Sequence, residues 1–301
     1  MVSPPKLVKV FLHGYIKKNN DFRVNFLENV KMIEIAHFWD WNRVAVKEWS
    51  GAMRRFAECG HNKFAIGDSI ALRMAFSPGF VNSVKKMIAE AGVTFTGVHA
   101  PFGGQWDLLA DDPEFRPVSL YVHRKLIELL PNEFGVHSYT MHLLNDLYPG
   151  TPDDAEEHMG RVLEPLLEVA AKNNVVIALE NGFQEIDTPE TMPRYMRRYA
   201  SANLGCCLDL AHANVIAHRR NADIMTYIEK LLPYIIVSHL HDNDGEADRH
   251  WVPGDGILDW KRCMPLLATA PRLQSLQNES NSSKLSIEEL CKRIDEVVRV
   301  C

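Results

Sequence analysis

Eight short apolar runs recur along the chain, each separated from the next by a stretch patterned for a helix, and that alternation restricts the fold more than any single motif does. The runs are LVKVFLHG, VKMIEIAHF, VTFTGVHAPF, SYTMHLL, VVIALEN, LGCCLDLAH, YIIVSHLHD and RLQSLQNES. Most are continuously apolar, as parallel strands covered on both faces must be. Thr151-Pro152-Asp153-Asp154 and Thr188-Pro189-Glu190 each supply an N-cap, a proline at the first helical position and early acids. Ser286-Ile287-Glu288-Glu289 has the pattern of a capping box. Strand and helix alternating eight times over 301 residues predict a (β/α)8 TIM barrel, one domain spanning 1–301. One interval is long. More than fifty residues separate His37 from Val93, and they read as an inserted helix and loop over the barrel mouth, between strands two and three.

A barrel gathers its functional groups at the carboxyl ends of its strands. The runs end in or near His13, Glu34 with His37, His99, His142, Glu180, Asp209 with His212, His239 with His241, and Glu279. Each predicted strand therefore delivers an acid or an imidazole to one face. Such a set can surround one or more divalent ions with nitrogen and oxygen ligands. His123, His158 and His218 fall in helical stretches and read as structural. Trp39, Trp106 and Trp251 could form an apolar wall for a sugar or could be ordinary packing. Within HLHDNDGEADRHW (239–251), Asp242, Asp244 and Glu246 read as a solvated turn around Gly245.

The net charge of −6, with 33 basic against 39 acidic side chains, gives no electrostatic footprint for nucleic acid or an anionic membrane. The first residues show no apolar leader, and no run is long enough to span a bilayer. Six cysteines without a C-x-x-C pair or disulfide spacing fit a reducing compartment, so a cytoplasmic location is expected. Oligomeric state is left open, a homo-oligomer being compatible with such a barrel.

VHAPF (98–102), MHLL (141–144), ALEN (178–181), CLDLAHAN (207–214), HLHDNDGEADRHWVPGDGILDW (239–260) and the late Glu279 together resemble the xylose isomerase-like TIM-barrel superfamily. Sugar isomerases and epimerases, inosose-processing enzymes and endonuclease IV belong to it. The resemblance covers essentially the whole chain. It implies one divalent ion, Mn²⁺ or Zn²⁺ with Mg²⁺ or Co²⁺ as other options, held by Glu180, Asp209, His239 and Glu279. It also implies catalysis by Glu180 and Glu279, one removing and the other returning a proton through a metal-stabilised enediolate of a sugar or sugar phosphate. His99, His142, His212, Asp248 and His250 would then touch substrate. The alternative is an endonuclease IV-like phosphodiesterase using three Zn²⁺. Its nine ligand positions correspond to His99, His142, Glu180, Asp209, His212, His239, Asp248, His250 and Glu279. Strand eight departs from the usual apolar pattern with Gln274 and Gln277.

Overall fold

The computed structural model describes residues 7–10, 31–38, 45–110, 112–282 and 284–299. Nine strands occur among them: β1 (Leu7–Val10), β2 (Lys31–Phe38), β3 (Lys63–Ile66), β4 (Thr94–His99), β5 (Ser138–Met141), β6 (Val176–Glu180), β7 (Leu204–Asp209), β8 (Ile235–Leu240) and β9 (Ser275–Asn278). From β2 to β9 every neighbour is parallel, and a β2–β9 pairing closes the sheet into an eight-stranded barrel. This is the predicted single-domain TIM barrel.

Two of the sequence expectations change. LVKV is not the first barrel strand: β1 runs antiparallel to β2, pairing Leu7 with Glu34 and Val10 with Lys31. The interval before Val93 is not an insertion over the mouth. It holds α1 (Trp49–Glu58), the barrel strand β3, α2 (Asp68–Phe76) and α3 (Pro78–Ala91). Lys63-Phe64-Ala65-Ile66 is four residues long and opens on a lysine, so it lacks the long apolar run that marks the other strands. Lys63 is tolerated there because its ammonium pairs with Glu34 of β2 at 3.3 Å.

The remaining helices are α4 (Arg116–Phe134), α5 (Pro152–Lys172), α6 (Met192–Tyr199), α7 (Leu210–Arg219), α8 (Ile224–Leu231), α9 (Trp260–Ala268) and α10 (Ile287–Val298). Among the described residues no helix is long and apolar enough to cross a membrane. Thr151 and Asp154 form a reciprocal capping box that starts α5, and the Ser286 hydroxyl accepts from the Glu289 N–H at 3.1 Å at the start of α10. The start expected at Thr188 falls three residues later. Thr188 to Thr191 forms a turn first, with the Thr191 N–H on the Thr188 carbonyl at 2.9 Å, and α6 follows.

The main core lies between sheet and helices and includes Phe56, Phe64, Leu126, Ile177, Tyr195 and Ile294. Inside the barrel Ala178, Cys207, Ile236 and Val237 form a smaller apolar cluster. Gln277 also faces inward and accounts for the polar character of β9. Its amide sits against Gly97 of β4, where a Cβ would lie 2.6 Å from Gln277 Nε2 and 2.5 Å from Ser138 Oγ. Glycine at 97 makes room for this polar layer beneath the mouth.

Candidate metal centre

The parallel register sets the ends of β6 to β9 side by side. Glu180 is level with Cys207, Asp209 with His239, and Leu240 with Asn278, the residue before Glu279. Because each strand's side chains alternate, Glu180, Asp209, His239 and Glu279 all turn into the mouth. His239 Nδ1 lies 2.9 Å from Glu279 Oε2, 3.5 Å from Glu180 Oε2 and 3.8 Å from Asp209 Oδ2. Glu180, Asp209 and His239 are buried.

Four more imidazoles ring this group. Glu180 Oε2 lies 3.4 Å from His99 Nε2 and 3.3 Å from His142 Nε2. Asp248 Oδ2 lies 3.3 Å from His212 Nε2 and 3.0 Å from His250 Nε2. The opposite nitrogen of each ring faces an oxygen: His99 Nδ1 the Ala100 carbonyl at 3.0 Å, His142 Nδ1 the Asn145 Oδ1 at 2.7 Å, His212 Nδ1 the Asn181 carbonyl at 2.8 Å, and His250 Nδ1 the Glu279 carbonyl at 3.1 Å. A carbonyl oxygen only accepts, so Nδ1 carries the hydrogen and Nε2 presents its lone pair to a carboxylate. Lone pair facing carboxylate is repulsive unless positive charge lies between them. The arrangement fits a cation, and rings anchored through the second nitrogen are how proteins orient metal-binding histidines.

The orphaned atoms agree with that fit. Glu180 Oε2 and both ring nitrogens of His239 are buried without a well-aligned hydrogen bond, although charged groups face Oε2 and Nδ1 at 2.9 to 3.5 Å. Such atoms cost about 1–3 kcal/mol each when left so. In the bare protein the positive charge comes from protons. Burial disfavours charge on His142 and His250, yet the carboxylates beside them outweigh it and lift both rings to about 9. Burial opposes ionisation of Glu279, but the adjacent His239 overrides it and holds the carboxyl down at about 2. Donor atoms gather in several overlapping groups, among them His99–His142–Glu180 and Asp209–His212–His241.

All nine residues singled out in the sequence are thus brought to one mouth. His241, expected as a neighbour of the ligands, sets its Nε2 2.8 Å from Asp209 Oδ2 and stacks on His250 with ring centroids 4.1 Å apart. Other expectations are corrected. Glu34 lies midway along β2 and pairs with Lys63 and His137 at 3.3 and 3.4 Å, away from the mouth. His37 turns to the helix layer, where it meets His61 at 2.9 Å, because the next residue, Phe38, takes the inward position with its ring 5.3 Å from that of His239. Asp242 is no solvated turn residue. It is buried and accepts from the N–H groups of Asn243, Gly254 and Leu258 and from the Trp260 indole at 2.8 to 3.2 Å. His13 and Trp39 lie outside the described residues.

Trp106 packs on Phe115 and His123 in the helix layer, so it is not part of a mouth wall. Aromatics at the mouth among the described residues include Phe102, 4.5 Å from His142, and Phe183, 4.5 Å from His212, besides the inward Phe38. Sequence reasoning also passed over Asn181 and Asp107. Asn181 follows Glu180 in ALEN, and its amide bonds both backbone groups of Asp209. Asp107 is buried and accepts from the N–H groups of Gly103 at 2.8 Å and Asn145 at 2.9 Å, tying two mouth loops together. Beside the cluster a cavity of about 260 Å³ is lined by His142, Glu180, Phe183, Asp187 and His212. Burial lifts the Asp187 carboxyl to about 7.

The family model for the xylose isomerase-like TIM barrel matches residues 33–272. Two curated relatives are each 27% identical: an uncharacterised protein y4fM of Sinorhizobium fredii, over 46% of this chain and 40% of the relative, and an uncharacterised protein MJ1311 of Methanocaldococcus jannaschii, over 45% and 48%. The matched part thus spans less than half the length of either relative. Among solved structures, a 3-keto-D-glucoside 4-epimerase from E. coli is similar at a TM-score of 0.71 and 18% identity, covering 89% of this chain and 100% of that one. A D-psicose 3-epimerase of Clostridium cellulolyticum H10, solved with D-tagatose, gives 0.68 and 16% over 89% and 97%. A protein named IOLI, solved with a zinc atom, gives 0.71 and 15% over 88% and 98%.

Proposed function

This chain belongs to the xylose isomerase-like TIM-barrel family, and we propose that within it the protein is a divalent-metal-dependent isomerase or epimerase of carbohydrates. The observation that carries the reading is the convergence of Glu180 and Glu279 on one nitrogen of His239, with Asp209 beside them. Glu180, Asp209, His239 and Glu279 would hold the ion, which supplies Lewis acidity to the adjacent oxygens of an α-hydroxy ketone or aldehyde. Mn²⁺ or Zn²⁺ suits this mixed oxygen and nitrogen donor set.

Glu180 and Glu279 reach the ion's place from different strands, so they flank a substrate lying over it. One carboxylate takes the proton from the carbon next to the carbonyl, and the other returns a proton to complete the isomerisation or epimerisation. His99 and His142 orient hydroxyls from the β4 and β5 side, and His212, Asp248 and His250 from the opposite side. Phe102 and Phe183 cover the rings beneath them from water. The solved epimerases that share the fold support a small carbohydrate as substrate.

Incubating the Mn²⁺- or Zn²⁺-loaded protein with ketoses and ketose phosphates in D₂O tests the proposal. Deuterium should enter at the carbon next to the carbonyl, and Glu180→Gln and Glu279→Gln should each abolish it. No uptake from any sugar overturns the reading.

A second reading has its own observation. His212 and His250 converge on Asp248, while His99 and His142 converge on Glu180, so the donors separate into outer groups on both sides of the centre. That arrangement suits up to three Zn²⁺ and a phosphodiesterase acting at abasic sites in DNA. About three ions per chain, with cleavage of an abasic duplex and no sugar turnover, would establish it.

A further inference from the structure

Behind the mouth, between β2, β9 and the helices, a buried chain of four polar side chains runs from α10 to the residue before Glu279. Asn278 Nδ2 lies 3.3 Å from His37 Nδ1, His37 Nε2 lies 2.9 Å from His61 Nδ1, and His61 Nε2 lies 3.3 Å from Asp295 Oδ1. All four residues are buried, and the His37 ring packs 4.7 Å from Phe56. None of them faces the metal centre.

The chain has one consistent direction. The Asp295 carboxylate faces His61 Nε2 at ion-pair distance without an aligned hydrogen bond, and a carboxylate on that side favours the ring with its hydrogen on Nε2, leaving Nδ1 to accept. His37 must then donate from Nε2 and accept at Nδ1, where it meets the Asn278 amide nitrogen. The other end fixes that amide: Asn278 Oδ1 accepts from the Ser280 hydroxyl at 2.8 Å and the Ser280 N–H at 3.4 Å. Arg299 steadies Asp295 from outside at 3.2 Å. Burial, with the neighbouring imidazole, holds His37 well below the usual histidine range, in keeping with a neutral ring.

β9 is four residues long and stops at Asn278, so the direction of Glu279 depends on how that last residue is held. On the mouth side the Glu279 N–H is tied to the Leu240 carbonyl at 3.1 Å and its own carbonyl receives His250. On the helix side the grip is the chain from α10. In a strand, neighbouring side chains point to opposite faces, so turning Asn278 away from the helix layer turns Glu279 out of the mouth.

We propose that His37, His61 and Asp295 are positioning residues that act through Asn278 to aim the Glu279 carboxylate at the metal centre. The inference rests on the assignment of Glu279 to that centre in the proposed function. It links α10, on the outer surface of the barrel, to the geometry of the mouth.

The test reads Zn²⁺ affinity of the whole protein by competition with a chromophoric chelator. His61→Phe and Asp295→Leu should each weaken affinity by roughly 10–100-fold, the range for groups that orient a ligand. Asp295→Asn keeps an accepting oxygen and should restore affinity to within about threefold of wild type. His123→Phe removes another buried imidazole of the helix layer and should leave affinity unchanged, which separates positioning from lost stability. If His61→Phe does not fold, the milder Asp295→Leu carries the test.

Wild-type affinity in a folded His61→Phe or Asp295→Leu protein overturns the inference. An ion seen by anomalous scattering at His37, His61 and Cys291, whose donor atoms lie within 4.8 Å of one another, also overturns it, because the ion would displace the shared proton. Unchanged affinity in Glu279→Gln overturns the assignment of Glu279 itself, and the positioning role with it.

Discussion

Asn181 grips Asp209 through both ends of its amide, accepting the Asp209 N–H at 2.8 Å and donating to the Asp209 carbonyl at 3.1 Å. A side chain here does what a neighbouring strand would do at the point where β7 turns into α7. Both residues are buried, so neither backbone group of Asp209 has water as a substitute. Because Asp209 caps α7 and its carbonyl also accepts the first helical N–H, Asn181→Ala leaves only the Asp209 N–H unpaired and should cost about 1–3 kcal/mol. Metal affinity should also fall about tenfold or more. Urea unfolding together with chelator competition measures both, and a loss under about 0.5 kcal/mol would contradict the assignment.

Metal binding should release protons. At pH 7 His142 and His250, lifted to about 9 by the neighbouring carboxylates, still hold the protons that a cation must displace. Calorimetric titration with Zn²⁺ in buffers of different ionisation heat should show net release at pH 7. The release should shrink as pH rises past about 9, where the rings are already neutral. Release that does not vary with pH would contradict this account.

Removing the ion should loosen the mouth. With a chelator present the clustered carboxylates and the buried atoms of Glu180 and His239 have only protonated imidazoles in place of the ion. A Tm lower by several degrees and restored by Mn²⁺ or Zn²⁺ is expected, since any ligand of the folded state alone stabilises it by mass action. Identical melting of the stripped protein with and without added Mn²⁺ or Zn²⁺ would count against a resident ion.

His123 should make the protein acid-sensitive. Burial pushes its pKa down to about 4, and it sits neutral between the Tyr139 hydroxyl at 2.8 Å and the Trp106 carbonyl at 3.0 Å. The unfolded chain takes up this proton near pH 6.5 and the folded one only near 4. Its contribution is thus intact above pH 6.5 and is lost as pH falls towards 4, about 3 kcal/mol in all. His123→Gln should flatten that part of the stability–pH curve, and an unchanged slope would contradict the prediction.

Gly256 should not accept a side chain. A Cβ there would lie 2.2 Å from Asp242 Oδ1 and 2.2 Å from the Asn243 carbonyl. Gly256→Ala must push the loop off the carboxylate that organises it, costing about 1–3 kcal/mol. The Trp260 indole, bonded to the same carboxylate at 2.8 Å, sits where its fluorescence should report the shift.

The candidate ligands are legible because a parallel barrel makes strand ends converge, so a His or acid closing an apolar run carries positional information. β3 escaped for the opposite reason. Phe64-Ala65-Ile66 is too short to stand out, and Lys63 reads as surface until its partner Glu34 is seen on the adjacent strand β2. The inward or outward sense of His37 was equally hidden, since at a strand end a shift of one residue exchanges the two faces. Asp242 was misread because its partners are backbone N–H groups brought round by a loop, and these leave no pattern in side-chain chemistry. The polar floor at Gln277 makes sense only with Gly97 opposite it.

The anchored Nδ1 atoms of His99, His142, His212 and His250 have a thermodynamic meaning of their own. A free imidazole gives up rotational freedom when it grips a ligand, commonly about 0.5–1.5 kcal/mol for an immobilised side chain. These four rings give up theirs when the chain folds, before any ligand arrives. On the proposed reading a substrate hydroxyl that meets them is therefore held more tightly, and also less forgivingly. Rings that cannot swivel cannot follow a hydroxyl placed differently, so discrimination among sugars would be set by the rigidity of the Nδ1 anchors as much as by the rings themselves.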